Sequence, residues 1–277
     1  MRFLALAICG GCLACGSGAP PVFNDEIGVQ AIPAEPGSHA GVFALKTVNT
    51  TLVHVPVLGD YAGGGTNFRL VVRSWDDEAG VYRQRSRLCG GFNFEVASVT
   101  TAVADQSYRA VPESIEELVD VDHEAGTYGS SGHLQLWGLR NLAEPRTAPL
   151  PTTPEEAMTP PFSDRIYDMD EDTHPGVTVV VSGAFEGEMY IIQRKTVELE
   201  GVILGPDRAL GLARNTNEVL QIGNNNPLLS QQNDGAAEPH PDPLRSYFEE
   251  ARLPDNADCD DVMRAEDDGV LSRLRPF

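Results

Sequence analysis

Asp168, Asp170 and Asp172 stand at alternate positions in the run Asp168-Met169-Asp170-Glu171-Asp172-Thr173-His174-Pro175-Gly176. In a loop, carboxylates at this spacing can converge on one hard cation, and Ca2+ takes about six to eight oxygen ligands from such a cage. The run departs from the EF-hand: Thr173 stands where the sixth loop position needs glycine, and Val179 where the twelfth needs glutamate. Two readings follow. One is half of an irregular calcium site, completed by Asp164 or a distant carboxylate. The other is a solvated acidic loop leading into a strand. Asp168, Asp170, Asp172 and His174 are also the best-placed groups for hydrolytic chemistry.

A second cluster is basic. Arg83, Arg85 and Arg87 alternate, so on a strand they share one face, with Arg69 and Arg73 on a neighbouring strand. Like charges side by side repel unless something anionic lies opposite. The partner is either the protein's own carboxylates on an exposed sheet face, or a bound carboxylate, phosphate or acidic glycan held by guanidinium forks.

Other constellations fail on spacing. His123-Glu124 opens like a zinc-protease helix, but Thr127 occupies the second histidine position. Gly129-Ser130-Ser131-Gly132-His133 is no nucleophile elbow, because His133 stands where glycine is needed. Gly63-Gly64-Gly65 runs into Thr66-Asn67, without the Lys-Ser/Thr of a phosphate-binding loop.

The elements that must position these groups read as mainly β. Residues 42–47, 53–57 and 68–73 alternate in side-chain character, and Gly63-Gly64-Gly65, Asp76 to Gly80 and Gly90-Gly91 supply turn chemistry between the runs. The expected fold is an antiparallel sandwich or partly closed barrel, in one or two β modules, with a few short peripheral helices. The modules would be 41–142 and 164–277, separated by a linker or crossover at 143–163 that holds six prolines. Helices are expected at 112–118, 243–252 and 258–266.

The formal charge is −21 from 41 acidic and 20 basic residues, which argues against nucleic acid and bare anionic membrane as partners. The hydrophobic share of 41% is ample for a core. The first fifteen residues, MRFLALAICGGCLAC, place Arg2 before a short apolar run and then small residues before Cys15. The apolar run is about a dozen residues, against the roughly 20 a spanning helix needs. This layout resembles a bacterial lipoprotein signal, with Cys12 where the pattern prefers leucine. The resemblance implies a signal peptide at 1–14, lipidation of Cys15, a tether at 15–40, and an exported protein anchored in the outer membrane. Gly16 stands where an aspartate would mark inner-membrane retention.

With three of the five cysteines in that segment, Cys89 and Cys259 remain as a pair, which reads as a disulfide in an oxidising compartment, the alternative being two buried, unpaired cysteines. Closing so long a loop gives roughly 5 kcal/mol in the chain-entropy treatment. The leading functional reading is a non-enzymatic cell-envelope lipoprotein with a binding or structural role. The alternatives are a small-molecule or anion-binding β domain using the Arg83, Arg85 and Arg87 face, and a calcium-dependent secreted hydrolase. Ca2+ is the one cofactor the sequence suggests. The membrane is engaged through the N-terminal lipid, and the sequence names no protein or small-molecule partner.

Overall fold

The computed structural model describes residues 31–55, 59–96, 98–114, 116–184, 186–230 and 238–272. The expected signal segment and Cys15 lie outside them. No helix among the described residues is long and apolar enough to cross a membrane.

The strands in chain order are β1 (Gly41–Val55), β2 (Gly59–Asp76), β3 (Val81–Asn93), β4 (Val99–Val103), β5 (Glu117–Asp122), β6 (Thr127–Trp137), β7 (Val177–Gly183), β8 (Gly187–Ile203), β9 (Arg208–Asn224), β10 (Glu238–Pro239) and β11 (Tyr247–Leu253). Three short helices accompany them: α1 (Asp105–Ala110), α2 (Pro154–Ala157) and α3 (Cys259–Arg264). All the strands join one mainly-β antiparallel sheet, and the pairing of β8 with β9 closes it on itself. Eight strands make the ring, in the order β1, β2, β3, β5, β6, β8, β9, β11 and back to β1. Closure removes the unpaired edges that an open sheet would expose.

Strands of 17 and 18 residues must bend to wrap a barrel. Register shifts at Phe68/Arg69, Ser130/His133 and Tyr190/Ile191 supply those bends. β4 and β7 continue the wall beside the first half of β8, at one end of the barrel. Strands from before and after residues 143–163 are neighbours around the ring: β6 lies beside β8, and β1 beside β11.

Apolar residues fill much of the lumen, with Phe43, Leu45, Val71, Tyr82, Val197 and Phe248 among the most buried. The outward side of β1 and β2 is also apolar. Val42, Ala44 and Phe68 pack beneath α3 and Leu271, and the Cys89–Cys259 disulfide bolts α3 to β3. Asp258 starts α3 with a reciprocal capping box to Asp261. Lys46 ties the following segment down through Glu266 and the Ser272 carbonyl, while Glu249 holds Arg208 and the Ser272 amide. The Pro-rich residues 143–163 lie against the outer wall, where Ala157 and Phe162 cover Ile192 and Leu220.

Three expectations are corrected. Residues 247–253 form β11, a strand that completes the ring, because both faces of that segment are buried and Glu249 and Glu250 each meet an arginine. Residues 112–118 are not a helix. Glu117 already pairs in β5 with Gln84, and the helix of this region is α1, upstream. Residues 31–40 belong to the barrel instead of a tether. Ile32 and Ala34 hydrogen-bond to Ile203 and His123, and His39 is fully buried at the barrel end.

Candidate functional site

Inward-facing positions of this barrel are unusually polar. Along β2 the lumen side reads Asn67, Arg69, Val71, Arg73, while the outward side reads Phe68, Leu70, Val72. On β3, Gln84 and Ser86 face in between Tyr82 and Leu88. Glu117, His133, Gln135, Lys195, Asn215 and Glu250 enter from β5, β6, β8, β9 and β11.

These groups fall into three layers. At the closed end Arg73 and Glu250, both side chains fully buried, form a two-toothed pair at 2.8 and 2.7 Å. The remaining donors of Arg73 go to Gln84 and to the Tyr128 hydroxyl, and His39 Nε2 donates to Glu250 Oε1 at 3.0 Å. The Arg73 charge and hydrogen bonds outweigh burial and hold the Glu250 carboxyl well below the usual range. The rings of Phe43 and Tyr128 sandwich the guanidinium at about 5 Å. Among the described residues, the polar side-chain atoms of this plug are paired except Nδ1 of His39.

In the middle layer Arg69, 1% exposed, donates to Ser86 Oγ, while its Nε and Nη2 have no partner among the described residues. Desolvation lowers the Arg69 pKa to about 10, against the raising effect of Glu117. Burial likewise pushes Glu117 up to about 7, although Arg146 and Arg69 oppose it. His133 is driven well below its usual value by burial and by Arg69. Ser86, His133 and Glu117 have the residue types of a nucleophilic triad without its geometry. The serine hydroxyl at 2.9 Å and the glutamate at 3.3 Å both meet His133 Nδ1, and Nε2 meets neither. A relay needs the base and its orienting acid on opposite ring nitrogens.

The third layer opens into a cavity of about 360 Å3 at the mouth. Its lining includes Asn49, Asn67, Asn215 and Asn217, with Gln135 and Gln193. Trp137, Tyr108, Val177, Val179 and Ile191 give it an apolar side. Glycine at 64 and 65 keeps the β2 wall thin there: a Cβ on Gly65 would sit 2.5 Å from the Phe92 carbonyl oxygen. Gly64 has φ of +113°, a backbone state that favours glycine. Several lining atoms have no partner among the described residues: both amide atoms of Asn49, Nε2 of Gln135 and Oδ1 of Asn215. Buried polar groups are ordinarily paired, so unmatched donors and acceptors around a hollow mark a place where something else supplies the partners. Lys195 is the one charged residue of this lining. Burial and the Arg69 charge lower its pKa to about 8.

Larger hollows of about 740 and 620 Å3 lie over the outer side of β5, β6, β8 and β9, edged by Asp120, Glu200 and Arg214. Their lining has no unpartnered buried side-chain atom among the described residues, and Arg214 pairs with Glu200 at 2.8 Å.

Arg83, Arg85 and Arg87 point outward. Arg83 pairs with Asp76 and Glu116, and Arg85 lies 3.9 Å from Glu116, so the protein's own acids answer two of the three arginines. None of the three lines the mouth cavity. Asp168, Asp170 and Asp172 do converge, with one oxygen from each within 4.8 Å of the others. Their oxygens accept bonds from the amides of Asp172, Thr173, His174 and Thr178, which fold the loop. Oδ1 of Asp170 is buried without a partner among the described residues. Burial, with Asp172 and Asp168 beside it, raises the Asp170 pKa. The Cys89–Cys259 bond is present, with Cα atoms 5.0 Å apart.

The residues of the mouth escape a sequence reading that looks for charge clusters. Their signal is the inverted strand β2, apolar outside and polar inside, together with amides spread over six strands.

No family model matches the chain, and no curated protein does. Among solved structures, that of DynF from the dynemicin biosynthesis pathway of Micromonospora chersina aligns over 87% of this chain and 92% of its own. The alignment has 14% identity and a TM-score of 0.26, a level of likeness that carries no argument about fold or function.

Proposed function

We propose that the protein is a non-enzymatic binding protein whose barrel mouth takes a small polar molecule. The observation that carries this reading is the cavity of about 360 Å3 lined by Asn49, Gln135 and Asn215, each with at least one buried amide atom that has no partner among the described residues. Leaving such an atom without a hydrogen bond costs about 1–3 kcal/mol, and an amide that turns toward a ligand in the cavity recovers that free energy on binding. Trp137 and Tyr108 offer stacking surface on the same wall. The arrangement of Ser86, His133 and Glu117 on one ring nitrogen supports binding over hydrolysis.

The cell-envelope address rests on the N-terminal residues and Cys15. Metabolic labelling with a radioactive fatty acid, comparing the wild type with Cys15→Ser, tests it; equal labelling of both would remove the anchor. Binding is tested by calorimetry with a panel of low-mass polar compounds on the wild type and on Asn215→Trp, whose indole fills the cavity. Heat from the wild type alone is expected. The same heat from both proteins would place binding elsewhere.

A further inference from the structure

We propose that the mouth is built for an anion, with the carboxylate or other acidic group of the ligand seated on Lys195. This inference rests on the mouth being a ligand site and assigns the chemistry of its floor.

The chain carries 41 acidic residues, yet none lines this cavity. Lys195 is its one ionic lining group and has no hydrogen-bond or ion-pair partner among the described residues. Elsewhere in the barrel each inward cation has an acceptor: Arg73 has Glu250, and Arg69 has Ser86. Arg69 lies one inward position deeper along β2 than the cavity-lining Asn67, close enough for its charge to act on Lys195. The floor is therefore under the charge of two cations, one lining it and one behind it, and two guanidinium nitrogens of Arg69 are unpartnered among the described residues. Glu117, whose charge acts on Arg69, is pushed up to about 7, so it offsets Arg69 incompletely at neutral pH. A floor with excess positive charge, beside lining amides that still have an unpartnered donor among the described residues (Asn49 Nδ2, Gln135 Nε2), suits an anion. The aromatic and aliphatic side around Trp137 and Val179 suits the uncharged part of the same ligand.

The experiment uses benzoate and benzamide, which share shape and differ in charge. Their binding is followed through Trp137 fluorescence, with Trp75→Phe as background to remove the other tryptophan. Hydrogen bonds to charged groups contribute about 1.5–3 kcal/mol, so benzoate is expected to bind about tenfold to a hundredfold more tightly than benzamide. Lys195→Met should abolish that preference, and Lys195→Arg should keep it. Urea unfolding midpoints of both variants show that the fold is retained. Equal binding of the two probes, or a benzoate preference that survives Lys195→Met, would overturn the anion subsite and leave the cavity reading standing. Binding of neither probe at millimolar concentration would overturn both.

Discussion

Glu250→Leu is the sharpest perturbation of the barrel's closed end. It removes a carboxylate with no exposure that accepts two bonds from Arg73 and one from His39. The Arg73 guanidinium would stay charged, dry and short of its main acceptor, with only Gln84 and the Tyr128 hydroxyl left. Breaking a buried pair from one side costs about 3–5 kcal/mol, a large fraction of the stability of a domain. Replacing both partners removes the stranded charge, so Arg73→Met with Glu250→Leu should cost at least about 2 kcal/mol less than the sum of the single changes. Urea unfolding of the four proteins, followed by tryptophan fluorescence, measures the cycle. The pH dependence has a definite sign. Glu250 is held below its ordinary 4.5, so the stability it contributes is present above pH 4.5 and is lost as pH falls below that value. Single changes costing under about 1 kcal/mol, or strict additivity, would refute a dry, paired plug.

Three further outcomes are expected. Cys89→Ser with Cys259→Ser opens a loop of 170 residues and should lower unfolding stability by up to roughly 5 kcal/mol in denaturant titration. Glu117 has its folded pKa raised from 4.5 to about 7, so its favourable contribution is complete below pH 4.5 and is lost as pH rises to about 7. The associated loss is of order 3 kcal/mol, and Glu117→Gln should flatten the stability profile across that window; an unchanged profile would contradict the assignment. Asp170→Asn, which relieves three crowded carboxylates, should raise the melting temperature in chelator. A wild type more stable than this variant only when calcium is added would instead show a cation in the loop.

Alternation along the chain reports which residues share a face, not which face is inside. On β3 both faces are polar, with Arg83, Arg85 and Arg87 outside and Gln84 and Ser86 inside. The sequence therefore reveals the strand and its arginine row but not their orientation. Arg69 and Arg73 stand out less, flanked by Phe68, Leu70 and Val72, and they are the ones the barrel encloses. Closure depends on β11 meeting both β1 and β9, contacts set by long-range register and invisible to local pattern, whereas β8 and β9 pair as a hairpin. β11 reads as helix from its composition, since the burial of Glu249 and Glu250 makes sense only once Arg208 and Arg73 are in place. The disulfide was legible because, outside the first fifteen residues, Cys259 is the one other cysteine available to Cys89.

Binding at the mouth of the barrel is the central proposal for this protein. Methyl-resolved NMR tests this most directly, with Met189, Ile191, Val177 and Val179 reporting the mouth and Val81 and Leu118 the outer hollow. On addition of a binding small molecule, shifts confined to the mouth methyls and absent in Asn215→Trp are predicted. Shifts centred on Val81 and Leu118, or equal shifts in the filled variant, would contradict it.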